Sequence, residues 1–162
     1  MYMAALEFLE DERESWRPFE ALAALSDAEL ERASDPGSAA HGWSGRDLMA
    51  HMAAWRQVVL DTARELAMGE HSENMARVDA AFEADPGGFN AALLADWSAL
   101  PLDEVRRRFG TIPGEVRGYL TVVPETRWVK NAAVQRFIAA STFEHDEEHG
   151  RDLEAILVAA RS

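Results

Sequence analysis

Two histidines stand one helical turn apart in the stretch Phe143-Glu-His-Asp-Glu-Glu-His-Gly150. A spacing of four residues places both imidazoles on one side of a helix, where they can bind a single metal ion. The same stretch contains four acidic residues, so the alternative is a charged helix face exposed to water. The two alternatives differ in the direction in which the histidines point.

The position of each residue around the predicted helix separates these alternatives. We set Val134 at zero and advanced by about 100° per residue. The apolar stripe within about 60° of this origin comprises Phe137, Ile138, Ser141 and Ile156. His145 falls at about 20° and His149 at about 60°, within the stripe, whereas Asp146 and Glu147 point well away from it. The sequence therefore predicts inward histidines, either as core residues or as metal ligands.

A third inward histidine lies in the segment WSGRDLMAHMAAWRQVVL, residues 43–60. The apolar stripe of this helix comprises Leu48, Met52, Trp55, Val59, Ala63 and Leu66. His51 lies on the shoulder of that stripe, so we expect it to face the helix that packs there. His41, directly before Gly42, and His71, shortly after Gly69, lie in predicted loops, and we expect both to be exposed and outside any site.

His51, His145 and His149 together would form a three-histidine metal site. Three protein ligands and one open position are typical of catalytic zinc, and imidazole also suits nickel, iron and copper. A metal ion at such a site lowers the pKa of a bound water or thiol and so produces a nucleophile at neutral pH. Glu148 and Asp152 lie near the same helix face, either as groups that orient the imidazoles or as surface acids.

The composition excludes several other functions. A net charge of −13 argues against a nucleic-acid partner, because phosphate binding requires a basic surface. The absence of cysteine removes disulfides, thiolate ligands and a cysteine nucleophile. No signal-like segment and no apolar run of membrane-spanning length is present, so we expect a cytoplasmic protein without a membrane partner.

The helix formers Ala, Leu, Glu and Arg dominate the sequence, and no period-two alternation is present, which predicts an all-α fold. The residues 1–162 are of the length expected for one domain. Breakers divide the chain into four long helical blocks. The first covers about residues 3–25 with a kink or restart at Pro18, and the second runs from a capping-box-like start at Ser44 to about residue 69. The third starts near Pro101, and the fourth runs from after Pro124 to about residue 160. Residues 70–100 should hold only short helices. We therefore expect a four-helix bundle with a long crossover between its second and third helices.

The two histidine motifs resemble those of the DinB/YfiT-like superfamily of metal-binding four-helix bundles. The second helix of that family opens with Trp-Ser or Trp-Thr and carries Ala-His-Leu or Ala-His-Met before a tryptophan, as Trp43-Ser44, Ala50-His51-Met52 and Trp55 do here. Its last helix carries His-x-x-x-His after an aromatic residue, as Phe143, His145 and His149 do. Within the family, the chain is similar to the subgroup of colibactin self-protection proteins.

The resemblance implies a site, a fold and a set of functions. It implies that His51, His145 and His149 hold a divalent ion (Zn, Ni or Fe), that the topology is up-down-down-up, and that the protein forms a homodimer. Some members use a low-molecular-weight thiol such as bacillithiol or mycothiol, and others serve in detoxification or resistance. The chain departs from the family at Arg56, where relatives often have an acid, and we expect a surface arginine there.

Three functional hypotheses follow. The first is a metal-dependent thiol S-transferase or hydrolase that acts on a small-molecule substrate. The second, a zinc protease with the pattern His-x-x-Glu-His and Glu148 as base, is disfavoured because only thirteen residues follow His149 to supply a further ligand. The third is a non-catalytic or metal-independent protein that binds a small molecule.

Overall fold

The computed structural model describes all residues from Met1 to Ser162 and is helical throughout. The only extended pairing is an isolated antiparallel bridge between Ala33 and Ser44. The helices are α1 (Ala5–Trp16), α2 (Asp27–Leu30), α3 (Gly45–Met68), α4 (Glu73–Ala84), α5 (Pro86–Ser98), α6 (Leu102–Val122), α7 (Ala132–Ser141), α8 (Phe143–Glu148) and α9 (Gly150–Ala160). Short 3-10 helices cover Arg17–Ala24 and Glu125–Arg127. The all-α prediction is confirmed.

Helix α3 lies at the centre of the molecule. It packs most extensively against α6 and also contacts α4, α5, α7 and α9. Sixteen of its 24 residues are buried, so it is covered on nearly all sides. Its start is fixed by a capping box in which the Ser44 side chain accepts from the amide of Asp47 and the Asp47 carboxylate accepts from the amide of Ser44. This cap, expected from the sequence, sets the register that places His51.

The second and third predicted blocks correspond to α3 and α6. Helix α6 runs unbroken through Pro113, whose ring is buried. Residues 70–100 form α4 and α5, of 12 and 13 residues, whereas the sequence predicts only short helices there. Asp85 caps α5, and Pro86 occupies its first turn. At the start of the chain, α1 gives way to a 3-10 helix in which Pro18 lies in the first turn, which agrees with the predicted restart there.

The fourth predicted block is not one helix, which corrects the sequence prediction. Thr142 leaves the helical conformation (φ −121°, ψ −104°) between α7 and α8. Its hydroxyl donates to the carbonyl of Ile138 at 2.6 Å, a side-chain bond that competes with the regular helix pattern. A second interruption occurs at His149 (φ −97°, ψ 5°), between α8 and α9. His145 therefore lies in the short helix α8, and His149 lies at its junction with α9.

None of the helices combines the length and the apolar composition that crossing a lipid bilayer requires.

Candidate metal centre

The structure brings His51, His145 and His149 together. The Nε2 atom of His51 lies 3.0 Å from Nε2 of His145 and 3.1 Å from Nε2 of His149. One ligand atom from each residue lies within 4.8 Å of the others, close enough to bind one metal ion. His51 comes from the middle of α3, His145 from α8, and His149 from the junction between α8 and α9. His41 and His71 are exposed and outside this cluster, as expected.

Burial keeps two of these imidazoles neutral. It lowers the pKa of His51 to about 3, with a further contribution from the neighbouring His149. It lowers the pKa of His145 to about 2, and the neighbouring His51 and His149 act in the same direction. A protonated imidazole in this setting would lose its hydration and be repelled by its neighbours. At neutral pH, both residues are therefore in the uncharged form that binds metals.

Asp152 fixes the orientation of His149. Its Oδ2 atom lies 2.6 Å from Nδ1 of His149, so we assign the proton of the imidazole to Nδ1, which donates it to the carboxylate. Nε2 of His149 then carries a lone pair directed at the other two histidines. Asp152, considered from the sequence as a residue that orients an imidazole, has this contact. Glu148 does not touch a histidine nitrogen and is exposed.

The donor set fits a small divalent cation. Two nitrogens bound to one tetrahedral zinc lie roughly 3.3 Å apart, as Zn–N bonds of about 2.0–2.1 Å require. The two separations that involve His51 are close to this value, and all three ligand atoms lie within 4.8 Å of one another. One feature departs from most metal sites: Nδ1 of His51 and Nδ1 of His145 are buried without a hydrogen-bond partner. Tryptophan side chains restrain these two rings instead, with Trp43 edge-on to His51 at 5.2 Å and Trp55 beside His145 at 5.7 Å.

Arg56, expected at the surface, has no exposed area. Its guanidinium donates to both carboxylate oxygens of Asp146, at 3.0 and 2.6 Å, and through Nε to Glu12 at 3.2 Å. Arg117 binds the other oxygen of Glu12 at 2.6 Å, and the Ser15 hydroxyl donates to Asp146 at 2.7 Å. We call these five residues the buried ion network. The prediction that Arg56 lies at the surface is therefore wrong.

Asp146 is likewise buried, with 2% of its surface exposed, although the sequence predicted that it faces water. The reason is that α1 packs on the side of α8 opposite the histidines, so α8 is covered on two faces. Burial raises the pKa of Asp146, and the Arg56 guanidinium opposes that shift. A sequence signal for Arg56 did exist, because it lies four residues from both Met52 and Leu60, which are buried on the same helix.

The three histidines lie at a cavity of about 690 Å³, within the usual range for small-molecule sites of about 300–1,000 Å³. The cavity walls come from α3, α4, α5, α7 and α8. Eight of the sixteen lining residues are hydrophobic, so the walls are half apolar. Trp43, Trp55, Phe82 and Phe137 contribute aromatic rings. The cluster of imidazoles is therefore accessible to a molecule of small organic size.

The chain matches no known protein-family model, and neither the curated proteins nor the solved structures include a significant match to it.

Proposed function

We propose that this protein is a metal-dependent small-molecule enzyme of the DinB/YfiT-like kind, either a thiol S-transferase or a hydrolase with a role in detoxification. The observation that carries the proposal is the convergence of three imidazole Nε2 atoms at a cavity of small-molecule size. When bound there, a divalent ion would supply acidity to a coordinated thiol or water, which makes a nucleophile available at neutral pH.

Residues of this chain have defined roles in that proposal. His51, His145 and His149 would hold the ion through Nε2, and Asp152 would keep the His149 imidazole in the required tautomer. The half-apolar walls would exclude water from a bound substrate and so strengthen its polar contacts. A low-molecular-weight thiol would enter the same cavity as a second substrate.

The family resemblance supports the proposal through its two motifs. The Trp-Ser and Ala-His-Met motifs lie on α3, and the His-x-x-x-His motif lies on the segment from α8 to the start of α9. In a DinB-like topology, α3 would be the second helix of the bundle, α6 the third and α7–α9 the fourth, with α4 and α5 forming the crossover. A homodimer in the cytoplasm, without nucleic acid or membrane as partner, belongs to the same proposal.

A second candidate is a binding or resistance protein that does not depend on a metal. The unpartnered Nδ1 atoms of His51 and His145 favour it, because metal-ligating histidines usually donate the second ring proton to an acceptor. In this case the cavity would hold its ligand stoichiometrically. The absence of turnover in a protein that protects cells would distinguish this candidate from the enzyme.

Metal content measured by elemental mass spectrometry tests the proposal directly. Wild-type protein exposed to zinc and then dialysed should retain about one equivalent, the ratio expected of a single site with three protein ligands. His145→Ala should retain almost none because one of the three ligands is removed. His71→Ala, which removes an exposed histidine outside the site, should match the wild type. Equal metal content in the wild type and in His145→Ala would refute the site.

A further inference from the structure

The cavity beside the three histidines contains unpaired charges of both signs. Arg136 of α7, Asp79 of α4 and Glu148 of α8 all line it. All three side chains are exposed, and none of them takes part in an ion pair or a side-chain hydrogen bond. By contrast, the three consecutive arginines that begin at Arg106 all pair with acids. The cavity therefore has one cation and two anions on separate walls that the protein itself does not neutralise.

The pKa of Asp79 agrees with the absence of a positively charged partner. Partial burial and the neighbouring Glu83 both raise the pKa of Asp79 above its ordinary value. A positive group on a ligand would oppose that shift. Arg136 offers the complementary interaction, because a guanidinium donates two parallel hydrogen bonds to a carboxylate.

The apolar part of the wall contains aromatic rings. The Trp55 ring lies 5.7 Å from Phe82, edge to face, and both rings line the cavity. The Trp55 indole N–H donates to Oδ1 of Asn90 at 2.9 Å, which leaves the Asn90 amide N–H groups as free donors at the cavity. Aromatic faces also attract an organic cation.

We propose that the cavity binds a small zwitterion with an apolar or aromatic body, such as an amino acid derivative. Its carboxylate would pair with Arg136, and its ammonium group would lie between Asp79 and Glu148. The inference rests on the proposed function, since it specifies the substrate class of the same cavity. It does not depend on the metal, because the charged groups belong to the protein.

A set of four para-substituted benzenes tests the charge requirement on metal-stripped protein by calorimetry. The set comprises para-aminomethylbenzoate as the zwitterion, para-methylbenzylamine, para-methylbenzoate and the neutral para-methylbenzyl alcohol. We expect the zwitterion to bind about fivefold more tightly than either singly charged probe, as one added ion pair of about 1 kcal/mol at an exposed side chain allows. Equal affinity for the zwitterion and the neutral alcohol would overturn the proposal.

Two variants locate the contact. Arg136→Gln should weaken the zwitterion about fivefold and leave para-methylbenzylamine unchanged, because only the carboxylate contact is lost. Arg13→Gln removes an exposed arginine outside the cavity and should change neither affinity. Because the protein is metal-free throughout, a failed metal assay would refute the enzyme proposal without affecting this result. An equal loss of affinity for both probes in Arg136→Gln would contradict the assigned contact.

The buried ion network carries an independent inference. Arg56 follows His51 on α3 by five residues, and Asp146 follows His145 directly on α8. The two bonds between their side chains, at 3.0 and 2.6 Å, therefore connect the two helices beside the site. Arg56 also stacks on the Trp16 ring at 4.6 Å, which restricts its movement. We infer that Arg56 and Asp146 are positioning residues that set the separation of His51 from His145.

Cobalt binding tests this inference, because the visible absorption of bound Co²⁺ reports its coordination geometry. Asp146→Asn should raise the Co²⁺ dissociation constant roughly tenfold, as the loss of a supporting group does at other metal sites, and should alter the spectrum. Ser15→Ala removes only one bond to Asp146 and should have a smaller effect in the same direction. It serves as the milder variant if Asp146→Asn does not fold.

The matched control is Arg117→Gln, at the far end of the network. Arg117 contacts Glu12 but not Asp146, so this change should lower thermal stability while the Co²⁺ dissociation constant and spectrum stay the same. A purely structural role for the network predicts the opposite pattern, in which every variant weakens Co²⁺ binding in proportion to its loss of stability. That pattern would overturn the inference.

Discussion

At the scale of single residues, the candidate site depends on which nitrogen of each imidazole carries the proton. Asp152 decides this for His149, through the contact of 2.6 Å at Nδ1. For His51 and His145, burial removes the positive charge, but no acceptor directs the remaining proton. Among the three histidines, His149 should therefore be the one whose metal binding depends most on a neighbouring side chain, that of Asp152.

Replacing Asp152 with alanine should weaken zinc binding about 10- to 100-fold, the usual range for loss of an orienting partner. Asp152 is partly exposed, so folding should change little. Zinc affinity measured by competition with a chromophoric chelator checks this expectation. Glu154→Ala, an exposed acid on the same helix, provides the control and should bind zinc as the wild type does. Unchanged affinity in Asp152→Ala would remove this residue from the site.

The depressed pKa values of His51 and His145, about 3 and about 2, predict how stability responds to acid in metal-free protein. In the unfolded chain both imidazoles take up a proton near pH 6.5, whereas in the folded protein they remain neutral. The free energy of unfolding should therefore fall as the pH drops from about 6.5 towards 3, by up to about 1.4 kcal/mol per pH unit for each histidine.

Urea unfolding at a series of pH values measures this effect. The double variant His51→Gln/His145→Gln should lose less stability on acidification than the wild type, because its substituted residues do not titrate. Carboxylates contribute equally in both proteins and cancel in the comparison. Parallel pH profiles for the two proteins would show that the imidazoles titrate normally in the folded state.

The sequence predicts the inward direction of the three histidines, because helical periodicity alone determines which face a residue shares. It does not predict the buried ion network. Asp146 lies on a face that only becomes interior when α1 packs there, and Arg56 is buried only because Glu12 and Asp146 neutralise it. Whether a charged residue is buried depends on which distant segments pack against it. Helical periodicity carries no information about that packing.

At the scale of elements, helix starts follow from local chemistry, and helix interruptions do not. The caps at Ser44, Asp85 and Asn131 come from side chains that bond to amides three residues onward. At the break, the Thr142 hydroxyl donates to the carbonyl of Ile138, and α1 packs against the α8 segment that follows. Pro113 shows the reverse case, since tertiary packing maintains α6 through a residue that ordinarily disrupts a helix.

Helix α6 contains an exposed glycine, Gly118, whose replacement by alanine should raise the free energy of unfolding by about 0.5–1 kcal/mol. A Cβ atom there would meet nothing within 4 Å, and the unfolded chain would lose conformational freedom. Gly42→Ala should have the opposite sign, because Gly42 has a φ of +89°. Thermal unfolding of both variants checks the contrast. Destabilisation by Gly118→Ala would indicate that another surface packs on this face.

At the scale of the whole molecule, metal binding should be coupled to folding, because the three ligands come from segments far apart in the sequence. An ion that binds only the folded state stabilises it by about 2.7 kcal/mol at a free concentration of 100 times the dissociation constant. Thermal unfolding of the wild type should shift upwards with added zinc, and His51→Ala should show no such shift. A zinc-dependent shift retained in His51→Ala would place the ion elsewhere.

The whole-molecule prediction from sequence is correct at the level of fold class. Strong helix formers and the absence of period-two alternation determine an all-α chain. The order in which the helices cross, and the assignment of a DinB-like bundle, depend on packing between distant segments and stay a proposal. The net charge of −13 is also a whole-molecule property, and the expectation of no nucleic-acid partner rests on it.

Helix α8 has an unusual position in the fold, since successive residues face two different environments. His145 faces the cavity, and Asp146 faces the buried ion network. In a random mutagenesis experiment, the two buried residues of this segment, His145 and Asp146, should tolerate few replacements. Most substitutions there should fail both a selection for soluble protein and a selection for ligand binding. Substitutions intended to change ligand binding should instead be made on α4 and α5, which contribute residues to the same cavity but are mostly exposed.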